Sequence, residues 1–115
     1  MKAWMTYNPN CGTARNVLAL LRERGIEPEI REYLKQPLTQ GEIAALVAEM
    51  GVKVADVVRW KQTAEVQTAG ISETSADAAL LDAMAAHPVL LNRPIVRTAK
   101  GIGLCRPSET VLKFL

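Results

Sequence analysis

The sequence has few aromatic residues and little net charge. Aromatic side chains make up 4% of its 115 residues, and the formal net charge is +2. Proteins that bind nucleic acids use basic patches for the phosphates and aromatic platforms for the bases. The chain has no polybasic run and no stretch in which basic and aromatic residues interleave. The composition therefore argues against a nucleic-acid partner.

Long apolar runs are also missing. No stretch approaches the ~18 consecutive apolar residues that a membrane-spanning helix requires. The residues that follow Met1 and Lys2 lack the apolar segment and the small-residue cleavage site of a signal peptide. We therefore expect a cytoplasmic protein that does not contact a membrane.

Cysteine and histidine are scarce, which limits disulfides and metal sites. The chain has two cysteines, Cys11 and Cys105, and a single histidine, His87. It contains neither a Cys-x-x-Cys motif nor a pair of spaced histidines, so it offers no zinc site and no bound metal is expected. In a reducing cytoplasm both cysteines are expected to be free thiols.

The hydrophobic pattern predicts a strand–helix–strand unit, a helical middle, and then a hairpin with a closing helix. This order is that of an α/β, thioredoxin-like fold, with a mixed four-stranded sheet and a helical insertion between strands 2 and 3 at about 38–88. The length and the 49% hydrophobic content fit a single domain over residues 1–115. The predicted strands cover 2–7, 29–34, 94–98 and 101–105, and the predicted helices cover 13–24, 39–50, 76–86 and 107–115.

Local residue patterns predict where several helices begin or end. Thr39 and Glu42 have the spacing of a capping box, and Gly51 follows the apolar run that they open. Gly25 is expected to end the first helix. Ser75 is the expected N-cap of the helix that follows it, because its hydroxyl oxygen could accept a hydrogen bond from an early backbone N–H.

Cys11 lies where the first strand passes through Asn8-Pro9-Asn10 into the first helix. The first N–H groups of a helix have no partner within the helix, and the helix dipole is positive there, so a thiolate and a bound oxyanion are both favoured. The alternative is a buried cysteine that acts as a small hydrophobic residue. Asparagine, proline, glycine and threonine make a poor apolar shell, which favours a reactive thiol.

The spacing around Cys11 excludes two well-known cysteine sites. A thioredoxin-type dithiol needs a second cysteine where Ala14 stands. A phosphatase-type loop needs an arginine where Val17 stands. The remaining interpretation is a single reactive thiol that takes its second electron from another thiol, most simply glutathione.

Arginines are the expected partners of an oxyanion, because a guanidinium can bind two oxygens at once. Arg59, Arg93 and Arg106 are the candidates, although a solvated surface position is the ordinary fate of an arginine. Arg93 stands at a strand entry before Pro94, a candidate cis proline. Arg15, on the first helix, could face the anion or the solvent, and a supporting role is favoured.

Three blocks of sequence resemble the glutaredoxin-coupled arsenate reductase family, and the resemblance extends over nearly the whole chain. They are Tyr-Asn-Pro-Asn-Cys-Gly-Thr-Ala-Arg-Asn at 7–16, Asn-Arg-Pro-Ile-Val at 92–96, and Leu-Cys-Arg-Pro-Ser-Glu at 104–109. The resemblance implies a thioredoxin-like fold and the reduction of arsenate to arsenite with glutathione and glutaredoxin. It implies that Cys11 is the nucleophile and that Arg59, Arg93 and Arg106 bind the oxyanion.

The chain departs from the family at one informative position. Members commonly carry histidine where Tyr7 stands, and that histidine is thought to lower the pKa of the cysteine. Its replacement leaves activation of Cys11 to the helix start, Asn10, Thr13 and the arginines. Two alternatives stay open: a redox-responsive binding or regulatory protein, and a thiol enzyme of the same fold that removes glutathione from proteins.

Overall fold

The computed structural model describes residues 2–115, and its chain divides into two compact units. One unit combines the residues up to Gln36 with Arg93–Leu115, and the other spans Pro37–Asn92. The second unit contains the segment 38–88 in which the sequence predicts a helical insertion. Met1, which the predicted domain includes, lies outside the described residues.

The first unit is built on a mixed four-stranded sheet. Its strands are β1 (Ala3–Thr6), β2 (Glu29–Arg31), β3 (Ile95–Thr98) and β4 (Gly101–Leu104), in the spatial order β2-β1-β3-β4. β1 and β2 are parallel, as the strand–helix–strand pattern predicts, whereas β1–β3 and β3–β4 are antiparallel. The α/β class and the thioredoxin-like sheet expected from the sequence are confirmed.

The helix α1 (Gly12–Glu23) connects β1 to β2 and covers one face of the sheet. Its buried residues recur at helical spacing, at Ala14, Val17, Leu18 and Leu21. Gly25, at a positive φ of 74°, follows the helix and closes it, because its N–H donates to Arg22 O. The core of this unit contains Met5, Val17, Leu18, Leu21, Ile26, Val96, Cys105 and Val111.

Two elements of the first unit differ from the sequence prediction. β2 ends at Arg31, three residues before the predicted end, and Tyr33 is fully buried in the turn that follows. The closing segment Ser108–Phe114 is a 3-10 helix and not an α-helix, with Thr110 N–H bonded to Pro107 O. The segment is short, and its β-branched Thr110 and Val111 have low helix propensity. Its apolar face still closes the core through Val111.

The second unit is helical. It contains α2 (Gln40–Met50), a 3-10 turn at Val54–Val57, α3 (Thr63–Ala69), α4 (Asp77–Ala86) and a 3-10 turn at Pro88–Leu90. The predicted capping box is confirmed, since Glu42 N–H donates to Thr39 Oγ1 at 3.1 Å and Thr39 N–H donates to Glu42 Oε1 at 3.0 Å.

The prediction for Ser75 was wrong. Ala76 is the N-cap of α4, and its side chain makes no capping hydrogen bond. The Ser75 hydroxyl oxygen instead accepts a hydrogen bond from Ser72 N–H at 2.9 Å, within the preceding turn. A short polar side chain often bonds the nearest free backbone group, and here that group belongs to the turn.

Candidate active site

Three chain segments meet at the same end of the sheet, because the strands that carry them run in alternating directions. β1 runs antiparallel to β3, so the end of β1 lies beside the start of β3. β4 runs antiparallel to β3, so its end lies beside that same start. The segment after β1 carries Cys11, the segment before β3 carries Arg93, and the segment after β4 carries Arg106.

Cys11 is the N-cap residue of α1, with extended backbone angles, and the residue is 8% exposed. The loop that presents it is organised by Asn8, which is itself buried. The Asn8 side-chain oxygen accepts a hydrogen bond from Asn10 N–H, and the Asn8 backbone oxygen accepts one from Cys11 N–H, both at 2.9 Å. The thiol therefore sits on a tight turn at the helix entrance, as the sequence predicts.

Two arginine side chains converge on the sulfur. Arg106 Nη1 lies 3.8 Å from Cys11 Sγ and also donates to the backbone oxygen of Arg93 at 3.0 Å. The Arg93 guanidinium is buried and bonds to the Cys11 sulfur as well. One arginine thus fixes the other, because the Arg93 carbonyl holds the Arg106 side chain against the thiol.

Pro94 holds the two arginine segments side by side. It is buried, its peptide bond to Arg93 is cis, and its carbonyl accepts a hydrogen bond from Cys105 N–H at 2.8 Å. The Arg106–Pro107 bond is also cis, a feature that the sequence analysis did not anticipate. At the end of β1, Thr6 Oγ1 accepts a hydrogen bond from Ile95 N–H at 2.9 Å, which ties β3 to the strand that leads to Cys11.

The electrostatics of the site favour the Cys11 thiolate. Burial by itself raises the pKa of the Cys11 thiol, but the N–H of Ala14 and the side chains of Arg93 and Arg106 stabilise the charged form, and the resulting pKa is lowered. Ala14 N–H faces the sulfur from the first turn of α1, outside the geometry of a capping hydrogen bond. A lowered pKa raises the fraction of the thiol present as thiolate, which is the nucleophilic form of cysteine.

The second cysteine has the opposite character. Cys105 is fully buried in the core of the first unit, and desolvation raises its thiol pKa to about 12. Both cysteines are free thiols, as the sequence predicts. The two thiols thus differ in their surroundings, because Cys11 lies beside two arginines whereas Cys105 is part of the apolar core.

Alkylation should separate the two cysteines. In the native protein Cys11 is expected to react with iodoacetamide with an apparent pKa below that of an ordinary cysteine, because only thiolates react. Cys105 is expected to stay unmodified until the protein unfolds. Peptide mass spectrometry over a pH series measures both rates, and alkylation of native Cys105 as fast as that of Cys11 would contradict the assignment.

The other predicted site residues lie in different surroundings. Asn10 is exposed, and its backbone N–H completes the loop turn. Thr13 is half-buried in the first turn of α1. Arg15 is exposed and donates from Nη1 to Pro9 O at 2.8 Å. Tyr7 packs against the core of the first unit, and its N–H donates to Arg31 O.

Arg59 belongs to the second unit. Its N–H donates to Leu90 O at 2.7 Å, and its Nη1 donates to Asn92 Oδ1 at 3.4 Å, so its position is fixed within that unit. Its side chain is half-buried. Its part in oxyanion binding stays a prediction from the family resemblance.

Sequence reasoning missed two contributors to the site. Asn8 organises the cysteine loop, and the asparagine–proline turn signal was the only hint of it. Ala14 contributes a backbone N–H, and a backbone donor leaves no signature in the residue type.

A cleft of about 580 Å³ lies away from this site, at the start of β1. Lys2, Trp4, Glu29 and Arg97 are among its lining residues, and the Arg97 guanidinium sits 5.4 Å from the centre of the Trp4 ring. Neither of the two cysteines lines it.

Over residues 2–115 no three histidine, cysteine or carboxylate side chains lie close enough to share a metal ion, and no helix is both long and apolar enough to cross a membrane.

Known proteins are similar to this chain in sequence and in fold. The ArsC family matches residues 6–114. An arsenate reductase of Rhizobium meliloti (strain 1021) is 44% identical over 115 residues, which are 100% of this chain and 82% of that protein. An arsenate reductase of Escherichia coli (strain K12) is 46% identical over 110 residues, 95% of this chain and 77% of the relative. The solved structure of an arsenate reductase from Vibrio cholerae superposes with a TM-score of 0.89 at 35% identity, covering 100% of this chain and 98% of the other. The chain therefore belongs to the ArsC family.

Proposed function

We propose that this protein reduces arsenate to arsenite, with Cys11 as the nucleophile. The observation that carries the proposal is the Cys11 thiol at the start of α1, with a lowered pKa and with Arg106 Nη1 3.8 Å from its sulfur. The same cations that stabilise the thiolate suit a tetrahedral oxyanion, which needs charge-assisted hydrogen bonds to its oxygens. The arsenate reductases that resemble this chain support the choice of anion.

Arg93 and Arg106 bind the arsenate oxygens beside the thiolate. Their guanidinium groups neutralise the anion and the negative charge that develops as an oxygen leaves arsenic. Arg59 is proposed as a third oxyanion ligand on the strength of the resemblance alone. Asn10, Thr13 and Pro94 play supporting parts, because they shape the loop, the first helical turn and the entry to β3.

The reaction begins with attack of the Cys11 thiolate on arsenic. A sulfur–arsenic bond forms, an arsenic–oxygen bond breaks, and the oxygen leaves as water after taking up protons. Glutathione displaces a second oxygen in the same way and forms a second sulfur–arsenic bond. A glutaredoxin thiolate then attacks the glutathione sulfur and forms a glutaredoxin–glutathione disulfide. The bond between that sulfur and arsenic breaks, and its electron pair stays on arsenic, which becomes As(III). Water releases arsenite and restores the Cys11 thiol.

External thiols are needed because the first unit offers no resolving cysteine. Cys105 is buried with a pKa of about 12, and position 14 is an alanine. A single reactive thiol must therefore be regenerated by another molecule. Glutathione and glutaredoxin fill this role, and both operate in the reducing cytoplasm, where we place the reaction.

A coupled assay tests the proposal. The purified protein is mixed with glutathione, glutaredoxin, glutathione reductase and NADPH, and NADPH consumption is followed with and without arsenate. Arsenate-dependent consumption is the expected result. Activity on a glutathione mixed disulfide without any response to arsenate would overturn the proposal and favour a deglutathionylating enzyme.

A further inference from the structure

Arg15 differs from the two arginines that point at the sulfur. It lies one helical turn after Cys11, with its N–H bonded to Cys11 O at 3.0 Å. Its Nη1 donates to Pro9 O at 2.8 Å, so the guanidinium folds back over the loop that carries the thiol. The guanidinium is therefore held beside the nucleophile and does not sweep freely through solvent.

Gly12 lies beside the Arg15 guanidinium. It follows Cys11 directly in the sequence, is exposed, and has no side chain. A Cβ placed on Gly12 would lie 3.7 Å from Arg15 Nη2, which puts the guanidinium alongside that glycine. Cys11 itself is only 8% exposed, so the exposed Gly12 and the guanidinium beside it are part of the accessible surface next to the thiol.

Within residues 2–115 the Arg15 side chain forms a hydrogen bond to Pro9 O and no ion pair with a carboxylate. Arg22, two turns further along the same helix, shows the contrast, since it pairs with Glu27 at 2.9 Å. No acidic residue occurs from Tyr7 to Asn16. The cysteine loop and the first turn of α1 thus carry an exposed guanidinium and no carboxylate of their own.

We propose that Arg15 binds a carboxylate of glutathione and selects this thiol over thiols that lack one, an inference that rests on the proposed function. Glutathione carries a carboxylate at each end, flanking its sulfur, so a cation beside Cys11 can anchor one end while the sulfur reaches the site. A charge-assisted hydrogen bond between guanidinium and carboxylate supplies the anchor. Arg93 and Arg106 remain assigned to the oxyanion, and Arg15 to the co-substrate.

Thiol–disulfide exchange tests the binding of glutathione by Arg15 separately from the reaction with arsenate. The Cys11 thiolate attacks one sulfur of oxidised glutathione, a bond forms between the two sulfurs, and the glutathione disulfide bond breaks. The departing glutathione thiolate carries away the electron pair and is protonated by water. Hydroxyethyl disulfide undergoes the same exchange but has no carboxylate.

The experiment compares the rate of Cys11 modification by the two disulfides, followed by intact-protein mass spectrometry. In Arg15→Gln the rate with oxidised glutathione is expected to fall about tenfold, whereas the rate with hydroxyethyl disulfide changes by less than about twofold. Arg24→Gln is the matched control, because it removes the same charge from an exposed arginine at the other end of α1. It is expected to behave like the unsubstituted protein with both reagents.

Each outcome is decisive. Equal slowing with both disulfides would show that Arg15 only holds the cysteine loop in place, and it would overturn the inference. Unchanged rates with both disulfides would overturn it as well. Selective slowing with glutathione supports it, and the Michaelis constant for glutathione in the coupled assay should then rise while that for arsenate stays constant. Selective slowing in a protein without arsenate-dependent turnover would support the glutathione site while the arsenate proposal fails.

Discussion

Replacing Cys11 with serine is expected to lower arsenate turnover by more than about 10³-fold. A serine hydroxyl is far less acidic than a thiol, so the Arg93 and Arg106 charges that stabilise the thiolate cannot produce a serine alkoxide at neutral pH. NADPH consumption in the coupled assay measures the loss.

The serine variant should remain folded. Cys11 is the N-cap of α1, and serine is among the preferred N-cap residues, so the helix start is preserved or improved. Cys105→Ala is the matched control, because it removes the other thiol. It is expected to keep turnover and to lose about 1 kcal/mol in the free energy of unfolding, since Cys105 is fully buried. More than a tenth of the original turnover in Cys11→Ser would place the nucleophile elsewhere.

Much of the fold could be predicted because its signals are local. The buried residues of α1 recur at helical spacing, and the Thr39–Glu42 box opens α2 through two hydrogen bonds between neighbours in the chain. The Ala99-Lys100 turn joins two short strands into the β3–β4 hairpin. Each of these elements depends on residues close in sequence, and the sequence alone contains that information.

The predictions of secondary structure were wrong where the residue types fit more than one local structure. Ser75 has the residue type of an N-cap, but its oxygen is taken by Ser72 N–H in the turn before it. The closing segment carries an apolar pattern compatible with a helix, but the pattern does not distinguish an α-helix from the 3-10 helix observed at Ser108–Phe114.

The candidate site was predictable only in part. Cys11 could be recognised from its turn and its helix, but Arg106 lies 95 residues away in sequence. Their proximity requires the pairing of β1 with β3, which no local pattern encodes. The bond from Arg106 to the Arg93 backbone oxygen is equally invisible in the sequence, because an acceptor on the main chain has no residue signature.

Tyr7 packs against the core of the first unit. The groups that lower the pKa of Cys11 are the Ala14 N–H and the side chains of Arg93 and Arg106. Activation of the thiol in this chain therefore depends on guanidinium charge and on the helix start.

Arg93→Met is accordingly expected to lower turnover about 100-fold and to shift the rising limb of the pH–rate profile to higher pH. Methionine removes the buried guanidinium that lowers the pKa of Cys11, so that pKa rises and a smaller fraction of the thiol is ionised at neutral pH. The Arg93 backbone oxygen that holds Arg106 is retained, which confines the change to one side chain. Turnover in the coupled assay and the rate of iodoacetamide alkylation, both measured over a pH series, report the shift.

Arg97→Met is the matched control for this variant. It removes the same charge from β3, but from a side chain that stacks on Trp4 at the far cleft. Its pH profile and alkylation rate should match those of the unsubstituted protein. Arg93→Met could also lose turnover while its alkylation profile stays unchanged. In that case Arg93 would act only on the arsenate oxygens, and Arg106 and the Ala14 N–H would be the groups that stabilise the thiolate. A parallel shift in both profiles would instead show that the guanidinium that receives the oxyanion also prepares the nucleophile that attacks it.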